Sequence, residues 1–401
     1  MSLDITKVAA QIGAMAEKLA ESMTEHQAHL AAVASQLHGV SDQAALLDKV
    51  RRSKTSFLLA APLTPLDEKP LSPPPPATYS IVATDGSHID IDRHHAAPCS
   101  LINIGEVRLD YGADPGALLD SHPRLLSDDA ELFIRDPAGN RETPLQGALL
   151  GIKRDGDECA ALVALAAAVP PDRPALALAD GTLIRWNLTT ANYEAYVLRE
   201  LLDNGYLRCL SAFKTLCAER PLAVASYISQ PGGNEVVNTL RLTLCPHEPA
   251  NCDRYCGEIK TGERPCDPLS GVSDTALLNR YLGIGERSAI FESTSKVIGQ
   301  YYGEHRICFF YLKLEDEIAR IELPIWLATD PDRVNLVHAL VLEQMKKGNG
   351  YPVALAEAHE QAVVTGADRE LFYEVVDTYL TGRGLPTAVS AKSFSKKARW
   401  I

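Results

Sequence analysis

Asp85 and Asp180 each close a short hydrophobic run, and each is followed by glycine. Tyr79-Ser80-Ile81-Val82-Ala83-Thr84 leads into Asp85-Gly86, and Ala175-Leu176-Ala177-Leu178-Ala179 leads into Asp180-Gly181. Apolar or β-branched runs of this length read as buried strands, and an acid at the C-terminal end stands where a sheet opens to solvent. The glycine lets the chain turn sharply away. Between the two, Glu158 introduces the Ala- and Leu-rich run Cys159–Ala166, a helix-forming stretch closed by Pro170-Pro171. Hydrolysis of a phosphodiester by a pair of divalent ions, held about 4 Å apart, needs such a carboxylate set. Oxygen ligands suit Mn²⁺ or Mg²⁺. Asp155 and Asp157 lie beside Glu158, so the choice of helix carboxylate stays open. The plain alternative is that acids gather at a helix start because of its dipole.

A second constellation is made of thiols. Of nine cysteines, Cys245, Cys252, Cys256 and Cys266 follow one another with the spacing C-x6-C-x3-C-x9-C. In a chain expected to be cytoplasmic, such clustering points to metal rather than disulfides. The spacing lacks the paired C-x2-C knuckles of a zinc ribbon, and the expectation is an iron–sulfur cluster or Zn²⁺, with His247 available to replace one thiolate on zinc. Cys99, Cys159, Cys209, Cys217 and Cys308 lie in apolar runs and read as core residues.

The elements that must position these groups are those of an α/β chain. Residues 4–52 carry apolar positions at helical steps, among them Ile5, Val8, Ile12, Leu19, Leu30, Val33 and Leu37, and read as one or two helices with a packing or dimerisation face. Residues 62–76 are proline-dense and read as a stiff connector. After Asp85 the chain is expected to return through a strand at 98–105 and a third at 107–111. A helix over 158–169, another over 193–220, a strand over 222–228, a hairpin over 307–313 and 318–324, and helices over 331–346 and 353–364 follow. Residues 236–295, which hold the four cysteines, read as an irregular insertion. The resulting division is a helical segment 1–61, a connector 62–78, a main domain 79–375 and a basic tail 376–401.

Composition bounds the function. The chain has 401 residues, 46% hydrophobic and 23% charged, and a net charge of −13. It has no stretch approaching the roughly 20 apolar residues of a bilayer span, and no secretion signal is expected. The acidic total argues against a nucleic-acid coat protein, but not against an enzyme on DNA, because local basic patches can guide a phosphate backbone. Lys346-Lys347 and the tail residues Lys392, Lys396, Lys397 and Arg399 are candidate patches. Arg93, Arg185 and Lys296 are candidate phosphate contacts, and Trp186 and Tyr227 are candidates for stacking on an unpaired base. No G-x-x-x-x-G-K-[ST] loop occurs, so any ATP-driven step would come from another chain.

Four stretches taken in order resemble the NurA nuclease family: Ala83-Thr84-Asp85-Gly86-Ser87, Leu178-Ala179-Asp180-Gly181-Thr182-Leu183, Ala225-Ser226-Tyr227-Ile228-Ser229 and Tyr351-Pro352-Val353-Ala354-Leu355-Ala356-Glu357-Ala358-His359. They span residues 79–375. The resemblance implies an RNase H-like mixed sheet flanked by helices, with an N-terminal helical extension. It also implies a Mn²⁺-dependent deoxyribonuclease, a 5′–3′ exonuclease with single-strand endonuclease activity. Such an enzyme would act in DNA end resection as a homodimer alongside a HerA-type hexameric ATPase. Asp85, Glu158, Asp180 and His359 are then the catalytic and metal-binding residues, His359 as a neutral ligand or a proton donor to the leaving oxygen. The cysteine insertion departs from the family pattern. The competing readings are a catalytically inactive DNA-binding scaffold of the same fold and a hydrolase of other phosphoesters.

Overall fold

The computed structural model describes residues 4–91, 98–189 and 192–385. Arg93 and the tail residues Lys392, Lys396, Lys397 and Arg399 lie outside the described residues. The chain divides into two compact units, one of residues 1–71, 229–296 and 308–321, the other of residues 72–228, 297–307 and 322–401.

In the larger unit the strands run in the order Leu222–Ile228, Ala175–Asp180, Tyr79–Ile89, Ser100–Tyr111, Gly116–Leu126. The Asp85 strand pairs antiparallel with Ser100–Tyr111 and parallel with Ala175–Asp180, which pairs parallel with Leu222–Ile228. The Asp85 strand therefore lies between its antiparallel and parallel neighbours, in the RNase H-like arrangement that the family resemblance implies. Leu176, Ala177, Leu178, Ala223, Val224 and Ala225 are all buried, as expected of parallel strands covered on both faces. Helix Ala148–Ala167 packs on this sheet, and helix Val353–Ala362 packs against the Asp85 strand and its antiparallel neighbour.

Several boundaries differ from the sequence reading. The helix carrying Glu158 begins at Ala148, so Gly151, Asp155, Gly156 and Asp157 lie inside it and Glu158 is in mid-helix. Its burial of Leu149, Leu150 and Ile152 outweighs the weak helix propensity of the glycines. Attraction to a helix N-terminus therefore does not explain Glu158, because the dipole effect fades within the first turn. Ser100–Tyr111 is one strand rather than two, continuous through Gly105. Gly116–Leu126 pairs along it and was not expected, since ten of its eleven residues are exposed and it shows no apolar alternation.

In the smaller unit the long N-terminal stretch forms helices Ile5–His38 and Gln43–Arg52. Leu30, Val33 and Leu37 enter a core with Val236, Leu240 and Leu277, whereas Ile5, Ile12, Met15 and Leu19 are exposed. The segment expected to be irregular contains helices Glu235–Leu244 and Asp274–Tyr281 and strand Phe291–Ser293. Buried polar groups tie it together: Arg320 Nη1 stands 2.6 Å from Glu235 Oε1, and Asp274 accepts bonds from the Val236 and Val237 amides and the Tyr311 hydroxyl. Such bonds meet the desolvation cost of burying these groups. Among the described residues, no helix is long and apolar enough to cross a membrane.

Candidate active site

Sheet register brings Asp85 and Asp180 together. Thr84 pairs with Ala179 across the parallel strands, so the next residues, Asp85 and Asp180, lie side by side where that parallel pairing ends. Asp180 closes its strand, but the Asp85 strand runs on to Ile89, still paired with its antiparallel neighbour, so Gly86 is not the turn that the sequence predicts. Both line a cleft of about 320 Å³ with Glu158, Arg154, Asp155, Arg185 and Tyr206. Thr84 Oγ1 donates to the Glu158 carbonyl at 3.1 Å, joining the helix to the strand. Helix Val353–Ala362 adds the fourth expected residue: His359 Nδ1 is 2.8 Å from Asp85 Oδ2, and the imidazole is largely exposed. The structure thus brings Asp85, Glu158, Asp180 and His359 to one place.

Ion pairing separates the three acids of the helix. Asp155 is held by Arg154 and Arg185, each at 2.7 Å, and Asp157 is paired with Lys153. Glu158 lines the cleft alongside Asp155, and burial, then Asp85, then Asp155 push its pKa up to about 8. The Asp180 carboxyl is also raised, first by desolvation, although bonds from Tyr351 and the Gly181 amide oppose the shift. Burial is the first cause of both shifts, and the Asp85 carboxylate adds to each. No group of three or more His, Cys, Asp or Glu side chains among the described residues is already disposed to hold a metal ion.

Two glycines make room for this arrangement. A Cβ on Gly86 would stand 2.9 Å from Arg154 Cγ and 3.1 Å from Glu158 Oε2. One on Gly105 would stand 2.4 Å from the Ala358 carbonyl oxygen, so its bare backbone admits the helix that carries His359. Ser87 and Asn103 donate to the Ala362 carbonyl and anchor the end of that helix.

A model of the NurA domain matches residues 79–364. The chain belongs to the NurA family. No curated protein matches it. Among solved structures, the NurA nuclease from Sulfolobus solfataricus is 12% identical, with 96% of this chain and 98% of that one covered at a TM-score of 0.51. A crystal structure of NurA with manganese is 12% identical over 90% of this chain and 98% of its own, at a TM-score of 0.35. The first likeness is one of fold, and the second superposition adds no argument to it.

Within the NurA domain, some expected contacts are placed elsewhere. Tyr227 is fully buried and sets its ring edge-on to Tyr351 at 5.6 Å, so it offers no face to a base. Arg185 is an internal strut: it pairs with Asp155, donates to the Thr182 carbonyl and lies 4.4 Å over the Tyr206 ring. Lys296 is exposed in the smaller unit, and Lys346 pairs with Glu343 on the surface. Sequence reasoning missed Arg154, Tyr351 and Glu322. Glu322 accepts from both the Thr182 hydroxyl and the Leu183 amide at 2.8 Å, holding the turn after Asp180. Tyr351 falls within one of the family motifs, and nothing in the spacing of Arg154 or Glu322 signals a role.

Proposed function

We propose that this NurA-family chain is a divalent-metal-dependent DNA nuclease, a reading carried by the convergence of Asp85, Glu158 and Asp180 on one cleft with His359 bonded to Asp85. The donor chemistry fits the ions: the carboxylates are hard oxygen ligands, and Glu158 and Asp180 are each made harder to ionise by Asp85, a repulsion that a cation would relieve. Asp85, Glu158 and Asp180 would hold Mn²⁺ or Mg²⁺, which supplies Lewis-acid activation of water and of the phosphoryl group.

The protein's own groups do the rest. His359, bonded to Asp85 through Nδ1 and with its ring exposed, would pass a proton to the departing 3′ oxygen. Arg154 lines the cleft partly exposed and would engage a non-bridging phosphate oxygen, while Asp155 restrains it. Tyr351 and the Gly181 amide fix Asp180. From family membership we further propose 5′–3′ exonuclease with single-strand endonuclease action, a role in DNA end resection, a homodimeric state and a HerA-type ATPase partner. A monomeric mass by light scattering at micromolar concentration would remove the dimer.

End-labelled linear single- and double-stranded DNA, incubated with Mn²⁺, Mg²⁺ or EDTA, tests the reading. Degradation with metal should stop in EDTA and fall at least about 100-fold in Asp85→Ala and Asp180→Ala, beyond the loss typical of an outer-shell partner. Normal cutting by either folded variant would sink the mechanism. Metal-independent DNA binding without cleavage, unchanged in Asp85→Ala, would point to the scaffold instead.

A further inference from the structure

Cys245, Cys252, Cys256 and Cys266 lie far enough apart in sequence to have ended in different places, yet all four line one cavity of about 20 Å³ in the smaller unit. All four are free thiols. From this enclosure we propose that the four cysteines hold a single structural Zn²⁺, independently of the nuclease reading.

Of the two occupants that the spacing leaves open, the cavity is nearer in size to the smaller. A cavity needs about 10–15 Å³ to admit one water-sized body, so this one accommodates a single ion. An iron–sulfur core, with several irons and bridging sulfides, would have to displace the walls formed by Phe57, Leu242 and Ala250. The thiols line the cavity without yet being grouped as ligands, and closing to Zn–S distances of about 2.3 Å would draw the loop inward.

The surroundings suit a site of net negative charge. Arg241 Nη2 donates to Cys266 Sγ at 3.5 Å and pairs with Asp267 at 3.1 Å, and its guanidinium stacks 4.4 Å over Phe57. Lys49 Nζ donates to the Cys245 carbonyl at 2.7 Å. Two cations, Arg241 paired with Asp267 and Lys49 paired with Glu248 at 3.6 Å, therefore adjoin a set of four thiolates around Zn²⁺, whose summed charge is negative. His247 also lines the cavity, but its ring is stacked on Tyr255 at 3.9 Å and 11°, so the fourth ligand is assigned to thiolate.

The test is elemental analysis of the full chain purified without chelator, together with its visible spectrum and a thiolate-to-Co²⁺ charge-transfer band after exchange with cobalt. We expect one zinc per chain, no iron, and loss of that zinc in the Cys252→Ser, Cys256→Ser double variant, with zinc retained in His247→Ala. Bound iron with broad visible absorbance would overturn the single-ion assignment. Four freely titrating thiols and no metal would overturn the site. Loss of zinc in His247→Ala would replace one thiolate by imidazole and overturn the four-cysteine ligand set.

Discussion

Burial and the neighbouring Asp85 and Asp155 carboxylates push Glu158 from 4.5 up to about 8, against the pull of Arg154 and Arg185. A folded-state pKa above the unfolded value means that the folded chain binds the extra proton. Without metal, stability is then fully present below pH 4.5 and is lost as pH rises toward about 8. Glu158→Gln, which cannot ionise, should gain about 1–3 kcal/mol at pH 8 relative to wild type in EDTA, and nothing at about pH 4. Thermal melts should show roughly 2–4 °C per kcal/mol. Equal melting of the two proteins across this range would show that Glu158 is solvated. The residue types were legible: an acid after an apolar run, twice, marked Asp85 and Asp180. Glu158 was distinguishable from Asp155 and Asp157 only once the arginines and lysine that occupy those two were seen.

Helix Val353–Ala362 reaches its place because Gly105 and the Asn103 and Ser87 side chains receive it. In Gly105→Ala, the new methyl would collide with backbone at Ala358 and Ala362, which cannot rotate away. Overpacking of this kind costs about 1–3 kcal/mol, measurable by urea unfolding. Displacement of His359 should lower cleavage by up to about 100-fold. Gly151→Ala is the control, since nothing lies within 4 Å of its added Cβ and helix propensity favours alanine by up to about 1 kcal/mol. If Gly105→Ala proves as benign as Gly151→Ala, the close helix approach is not what positions His359. Gly105 looked like a strand break because sequence contains no record of what presses on a glycine from outside.

At the scale of the whole chain, a net charge of −13 repels DNA, so the acids of the cleft need cations before a phosphate can approach. Because ion binding requires ionised carboxylates, stabilisation by Mn²⁺ should be larger at about pH 8 than at about pH 6, and the difference should shrink in Glu158→Gln. Melting in Mn²⁺ titrations at the two pH values checks this, and a pH-independent gain would place the ion away from Glu158. His88 and His305 act on the acid side. Burial lowers both, so their contribution is present above pH 6.5 and fades as pH falls below it.

Local periodicity, turn chemistry and proline stops made the strand that ends in Asp180, the apolar run that leads into Asp85, the late hairpin, the helix of His359 and the order of the NurA motifs legible in the sequence alone, whereas the continuation of the Asp85 strand to Ile89 rests on its pairing with Ser100–Tyr111. Proximity was left to the folded chain, because it depends on partners that are distant in sequence. Parallel register set Asp85 beside Asp180, ion pairs engaged Asp155 and Asp157 while Glu158 came to line the cleft, and burial withdrew Tyr227 from contact with a substrate. The same holds for the cysteines: their spacing suggested metal, but only folding brought the four around one cavity, and the size of that cavity, a three-dimensional quantity, is what the proposal of a single ion rests on.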